Sequence, residues 1–187
     1  MKKIALVALL AGAAFATPAA AAPAPTSVTG TITLTGHVDA KCFVQPDNGS
    51  TFSDSVDFTA LDAADGTLRT GLDTAFGTKS FTVKCTSSNP NISVTANPLA
   101  TGSGAPAAGY DNSIDYSASV AVTTTTGTTT VTDATGGAAT TGAAGAPLKN
   151  QASNVNITTS GYHTDTATDL LVAGTYNGSI VVVISPA

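Results

Sequence analysis

The feature that most constrains this chain is a two-residue hydrophobic period that returns along its length. Ile114, Tyr116, Ala118, Val120 and Val122 alternate with smaller or polar residues, and Ile180, Val182 and Ile184 do the same near the carboxyl end. A strand sends successive side chains to opposite faces, so this period gathers the apolar set on one face of a sheet; a helix would need a period of 3.6. Composition closes the helical alternative. Every one of the 12 acidic residues is Asp, Glu is absent, Lys and Arg number seven, and Thr reaches 33 of 187 residues. The straight-chain residues that keep their freedom in a helix are scarce, and the β-branched ones that suit a pleated surface abound. A charged fraction of only 10% also argues against a solvated disordered chain. The fold is expected to be all-β.

The same period runs through residues 27–44, where Val28, Gly30, Ile32, Leu34, Gly36 and Val38 share one face and Thr29, Thr31, Thr33 and Thr35 the other. This predicts a first strand that continues to Cys42 and Val44. Asp47-Asn48-Gly49-Ser50 reads as a turn. Phe52, Val56, Phe58 and Leu61 suggest a short, looser strand within 51–62, and residues 63–78 a surface loop. Phe81, Val83 and Cys85 predict a strand over 80–86, followed by a polar turn and a strand bearing Ile92, Val94 and Ala96. Residues 97–112 read as loop. The stretch 123–146 is nearly all Thr, Gly and Ala, which predicts an exposed hairpin or excursion that holds no core position. Val155 and Ile157 mark another strand. The last, over 173–184, has Tyr176, Ile180, Val182 and Ile184 on one face and Val181 and Val183 on the other, so burial between two layers is expected. Strands at this spacing predict a two-sheet, immunoglobulin-like sandwich.

The amino-terminal residues have the form of a secretory signal over 1–22: Lys2 and Lys3, an apolar run from Ile4 to about Phe15, and Ala19 to Ala22 at the cleavage site. Without it, five basic residues face 12 aspartates, a formal charge of −7. Such a surface repels phosphate backbones, so nucleic acid is not an expected partner. An exported chain meets an oxidising compartment, and its two cysteines, Cys42 and Cys85, are expected to pair. Closing a loop of about 44 residues stabilises by roughly 4 kcal/mol on the chain-entropy account.

Catalytic signals are thin. His37 and His163 have no flanking motif, and neither a G-x-S-x-G elbow nor a phosphate-binding P-loop is present. Asp54, Asp57, Asp62 and Asp65 precede Gly66, but a calcium loop of the EF-hand kind ends in a bidentate Glu, and this chain has none. The chain is expected not to be an enzyme, and no cofactor, metal or small-molecule substrate is expected.

Three stretches together resemble the chaperone-usher family of pilus subunits, closest to its archaic and alternate branches and the spore-coat-U-like pilins. Thr33-Leu34-Thr35-Gly36-His37-Val38-Asp39-Ala40-Lys41-Cys42 resembles the pilin amino-terminal extension running into the first strand. Phe81-Thr82-Val83-Lys84-Cys85 resembles the strand bearing the partner cysteine. Ala173-Gly174-Thr175-Tyr176-Asn177-Gly178-Ser179-Ile180-Val181-Val182-Val183-Ile184 resembles the last strand. The resemblance implies an incomplete immunoglobulin-like β-sandwich that lacks its last strand and is completed by donor-strand addition. It implies a donor extension over residues 23–38, presenting Val28, Gly30, Ile32, Leu34, Gly36 and Val38. A sandwich domain over 39–187 would hold the acceptor groove on Tyr176, Ile180, Val182 and Ile184. The implied function is a structural subunit of a surface fimbria serving adhesion or biofilm formation. Its implied partners are other pilin subunits, a periplasmic chaperone and an outer-membrane usher, and its implied route runs through the periplasm to the cell surface. The alternative is a monomeric secreted β-sandwich binding module or a minor tip adhesin.

Overall fold

A computed structural model describes residues 27, 29–104 and 106–187. The expected signal at 1–22, residues 23–26 of the expected extension, and Val28 lie outside the described residues. Two units divide the chain, residues 1–36 and 37–187.

The second unit is built from strands: β1 (Cys42–Val44), β2 (Lys79–Phe81), β3 (Val83–Cys85), β4 (Asn91–Ala100), β5 (Tyr110–Asp111), β6 (Ser113–Thr123), β7 (Thr128–Ala134), β8 (Thr140–Ala143), β9 (Val155–His163), β10 (Leu170–Leu171) and β11 (Asn177–Ser185), with one short helix α1 (Leu72–Phe76). The all-β expectation is met, and the sheets are antiparallel apart from a two-residue parallel ladder between β5 and β10. No helix among the described residues is long and apolar enough to cross a membrane.

Strand β6 lies between β7 and β9, and β9 carries β2 on its far side. Strand β4 gives one edge to β11 along its length. Its other edge is shared: β8 takes Asn91 to Val94, and β6 takes only Leu99 and Ala100. Between those two partners the Ala96 N–H has no strand to meet. Asp133 of β7 supplies the acceptor instead, its Oδ2 lying 2.8 Å from the Ala96 nitrogen, while the Thr140 hydroxyl donates to Oδ1 at 2.6 Å. A carboxylate only 3% exposed is tolerable because these donors replace water.

The period that announced the strands also built the core. Ile92, Val94 and Ala96 of β4 and Ile114, Tyr116, Ala118, Val120 and Val122 of β6 are all buried. One apolar cluster joins these residues of β4, and those of β6 from Tyr116 to Val122, to Val83, Val131, Ala144, Leu148, Val155 and Ile157.

Several local expectations are corrected. Residues 29–40 are exposed and carry no strand; the first ladder begins only at Cys42. Alternation specifies what a segment would bury, but a strand also needs a neighbour's backbone. The strand expected over 80–86 breaks at Thr82 into β2, which pairs β9, and β3, which pairs β1. Residues 51–62 form no strand, and the expected loop 63–78 contains α1, whose Leu72 is buried.

The Thr/Gly/Ala-rich stretch is no excursion. It supplies β7 and β8 and places Val131, Ala144 and Ala146 in the interior. Small size is what admits it: a Cβ on Gly142 would lie 2.9 Å from Val131 Cγ2. Finally, β11 is not enclosed by two layers. It stands at the end of its sheet, with Val181 and Val183 49% and 52% exposed.

Candidate functional site

The site is a groove along β11. This strand pairs β4 on one edge, and no strand of the described residues pairs its other edge. Ile180, Val182 and Ile184 point to the core side and pack against the core cluster while staying partly exposed. Three cavities follow the strand. One of about 280 Å³ lies where Val182 and Ile184 face Val44, Phe52 and Val83. The next, about 400 Å³, lies where Gly178 and Ile180 face Phe52, Phe58 and Phe81. The third, about 660 Å³, is bounded by Tyr176 and Gly178 on one side and residues 56–62 on the other. The expected groove residues Tyr176, Ile180, Val182 and Ile184 therefore all line this row of cavities, although Tyr176 precedes β11.

Its geometry is set by an irregularity. The register of β11 against β4 slips between Asn177, opposite Ala100, and Ser179, opposite Asn97. Gly178 sits in that slip because a Cβ there would lie 2.9 Å from the Pro98 carbonyl oxygen and 3.1 Å from that of Asn97. Such a bulge bends an edge strand and leaves backbone groups without ladder partners. The Tyr116 hydroxyl meets two of them, donating toward the carbonyls of Asn97 at 2.8 Å and Ser179 at 3.2 Å. Its ring stacks on Tyr162 at 5.2 Å, and Tyr162 meets the edge of Phe58 at 5.8 Å. Burial pushes both phenols, Tyr116 and Tyr162, above the ordinary tyrosine range. At the far end the Tyr176 hydroxyl lies 3.1 Å from the carbonyls of both Asp111 and Val172. Desolvation, then the Asp111 charge, raises that phenol as well.

The other end is fastened covalently. Cys42 and Cys85 form a disulfide between directly opposed residues of β1 and β3, with Cα atoms 4.1 Å apart. It holds β1 beside the groove.

The residues expected to act as donor are placed differently. Ile32, Leu34 and Val38 are 86%, 89% and 74% exposed. Gly30 and Gly36 have nothing within 4 Å of where a Cβ would stand. Val28 lies outside the described residues.

The weaker candidates resolve into local contacts. His37 Nε2 lies 3.1 Å from the exposed Asp39 carboxylate, and His163 Nδ1 lies 2.8 Å from the Gly161 carbonyl. Asp54, Asp57 and Asp65 each accept a nearby backbone N–H. Among the described residues no three His, Cys or Asp side chains gather as metal ligands would.

Sequence reading missed the far wall. Phe52, Val56 and Phe58 are half-buried opposite β11, and Lys79 reaches Asp54 at 3.4 Å. Their shared parity was a signal, but it pointed to a strand that does not form.

No protein-family model, no curated protein and no solved structure matches this chain.

Proposed function

We propose that this chain is a structural subunit of an extracellular fibre, an incomplete β-sandwich whose missing strand comes from the extension of another copy. The observation that carries the reading is the edge of β11: a row of half-buried Ile180, Val182 and Ile184 along a line of cavities, with no partner strand among the described residues. An apolar edge of this kind is an aggregation site unless something pairs with it.

The occupant is argued from chemistry. Nine residues of β11 extend for roughly 30 Å, and residues 28–38 in extended form reach roughly 36 Å. The extension alternates apolar and Thr side chains, so one face would enter the groove and the other would face water. Burying Ile32, Leu34 and Val38 contributes roughly 1.5 to 3 kcal/mol each, and main-chain pairing adds to that. Gly30 and Gly36 would lie where the groove is too shallow for a side chain.

Until a donor arrives the edge must be shielded, which calls for a periplasmic chaperone and, for ordered addition at the cell surface, an outer-membrane usher. Deleting residues 23–36 tests the reading. Oligomers that resist boiling in SDS are expected from the intact chain and not from the deletion variant, which should still bind its chaperone. Fibres formed by the deletion variant would contradict the reading, and a stable chaperone-free monomer from the intact chain would favour a secreted binding module instead.

A further inference from the structure

The triplet Asn-Gly-Ser occurs twice, at Asn48-Gly49-Ser50 and at Asn177-Gly178-Ser179. The first two residues of such a triplet can react with one another, because glycine has no side chain to hinder attack by its own nitrogen on the preceding amide. Identical sequence gives both sites the same intrinsic reactivity, so any difference between them comes from the fold.

Asn48 stands in an exposed turn with φ 54°. Among the described residues no acceptor takes the Gly49 N–H, while the Gly49 carbonyl receives the Val44 N–H at 2.9 Å. The space around Gly49 is open: beyond its chain neighbours, a Cβ there would come no nearer than 3.9 Å to another atom. The Asn48 Oδ1 accepts from Gln45 Nε2. A free nucleophile therefore sits beside a carbonyl whose oxygen already has a donor, and that donor bonds more strongly as negative charge grows on the oxygen.

Asn177 is placed the other way. It is paired within β11, opposite Ala100. Gly178 is packed against main chain, where a Cβ would lie 2.9 Å from the Pro98 oxygen and 3.1 Å from that of Asn97. The next residue is anchored as well, the Ser179 hydroxyl accepting from Asn97 Nδ2 at 2.9 Å. For the Gly178 nitrogen to reach the Asn177 side chain, the backbone must first rotate out of the ladder.

We propose that Asn48 is a modification site at which the folded chain deamidates, and that the fold protects Asn177. The Gly49 nitrogen bonds to Asn48 Cγ and gives up its proton, and the side-chain nitrogen leaves as ammonia, closing a succinimide ring. Water then opens the ring at either carbonyl, to aspartate or to isoaspartate, and no other reactant is needed. Either product places a carboxylate beside Asp47. Isoaspartate also lengthens the main chain by one methylene, between β1 and the Ser50 to Phe52 segment that lines the cavity of about 280 Å³.

Peptide mapping by mass spectrometry of the purified full chain, held folded in mildly alkaline heavy-oxygen water, follows both sites at once, and a parallel sample in urea removes the fold. In urea Asn48 and Asn177 should convert at similar rates. In the folded chain Asn48 should convert roughly tenfold faster than Asn177 or more, since Asn177 waits for β11 to open. Gln45→Ala should slow Asn48 by roughly two- to tenfold, the worth of one hydrogen bond, and leave Asn177 unchanged. Equal rates at the two sites of the folded chain, or an Asn48 that survives there while both react in urea, would overturn the proposal. An Asn48 rate unmoved by Gln45→Ala would overturn the role given to Gln45.

Discussion

The hydroxyl of Tyr116 lies 3.2 Å from the carbonyl of Ser179, joining the central strand β6 to the edge strand β11 at its bulge. The same proton is shared with the Asn97 carbonyl at 2.8 Å. A residue 5% exposed in the core thereby fixes the floor of the groove. The shape of the groove is coupled to core packing, and perturbing one is expected to perturb the other.

Alkaline pH is the first test of that coupling. Burial raises the Tyr116 and Tyr162 phenols, so the folded state favours the neutral form more than the unfolded chain does. For a group raised in this way the stabilisation is complete below the unfolded value, about 10, and is lost as pH rises beyond it. Urea denaturation should give a lower stability at pH 11 than at pH 8. Tyr116→Phe should flatten that decline while costing about 1 to 3 kcal/mol at pH 8 through the two carbonyls left with one donor fewer.

Gly178→Ala should destabilise even though alanine is the smallest possible change. The added methyl would lie 2.9 Å from a backbone oxygen, which cannot rotate away. A loss of roughly 1 to 3 kcal/mol is expected in thermal or urea unfolding, the usual cost of an overpacked site. An unchanged midpoint would show that the bulge relaxes freely.

Replacing both cysteines by serine should remove about 2 to 4 kcal/mol. The effect should concentrate at β1, which has three residues and, among the described residues, only β3 as a strand partner. Hydrogen exchange of Cys42–Val44 should therefore rise before that of β4 or β6.

Asn154 is fully buried and bonded three times: its Oδ1 accepts from the Val83 N–H at 2.8 Å, and its amide donates to the carbonyls of Val83 at 2.7 Å and Lys149 at 2.9 Å. Asn154→Ala should cost on the order of 3 kcal/mol, because it leaves several main-chain groups unpaired in the interior. Asn154→Asp keeps the acceptor and loses both donors, so it tests which side of the interaction matters.

The strands that contribute most to the core were legible because their period is strict. Ile92 to Ala96 and Ile114 to Val122 alternate, with Ala121 the one apolar residue on the outer parity, and every apolar member of the inner parity is buried. The cysteine pair was legible from its count of two and from the oxidising compartment that the expected signal implies. What could not be read was pairing. Residues 29–38 alternate as clearly as β6 yet form no strand, because hydrogen bonding depends on a neighbour that a local pattern does not name. Thr123 to Ala146 misled in the opposite direction: it lacks bulk, but Val131, Ala144 and Asp133 show that close approach can fill an interior with small residues and one satisfied carboxylate. The groove residues of β11 were legible by parity, whereas the wall at 51–58 was not, since its apolar spacing suggested an ordinary strand.

The central claim is that residues 29–38 of one copy lie in the β11 groove of another. A photo-crosslinking amino acid in place of Leu34, activated in assembled oligomers and mapped by mass spectrometry, tests it most directly. The predicted result is crosslinks between copies that fall on residues 176–184 or 51–58. Oligomers that form normally but crosslink elsewhere, or only within a single chain, would contradict it.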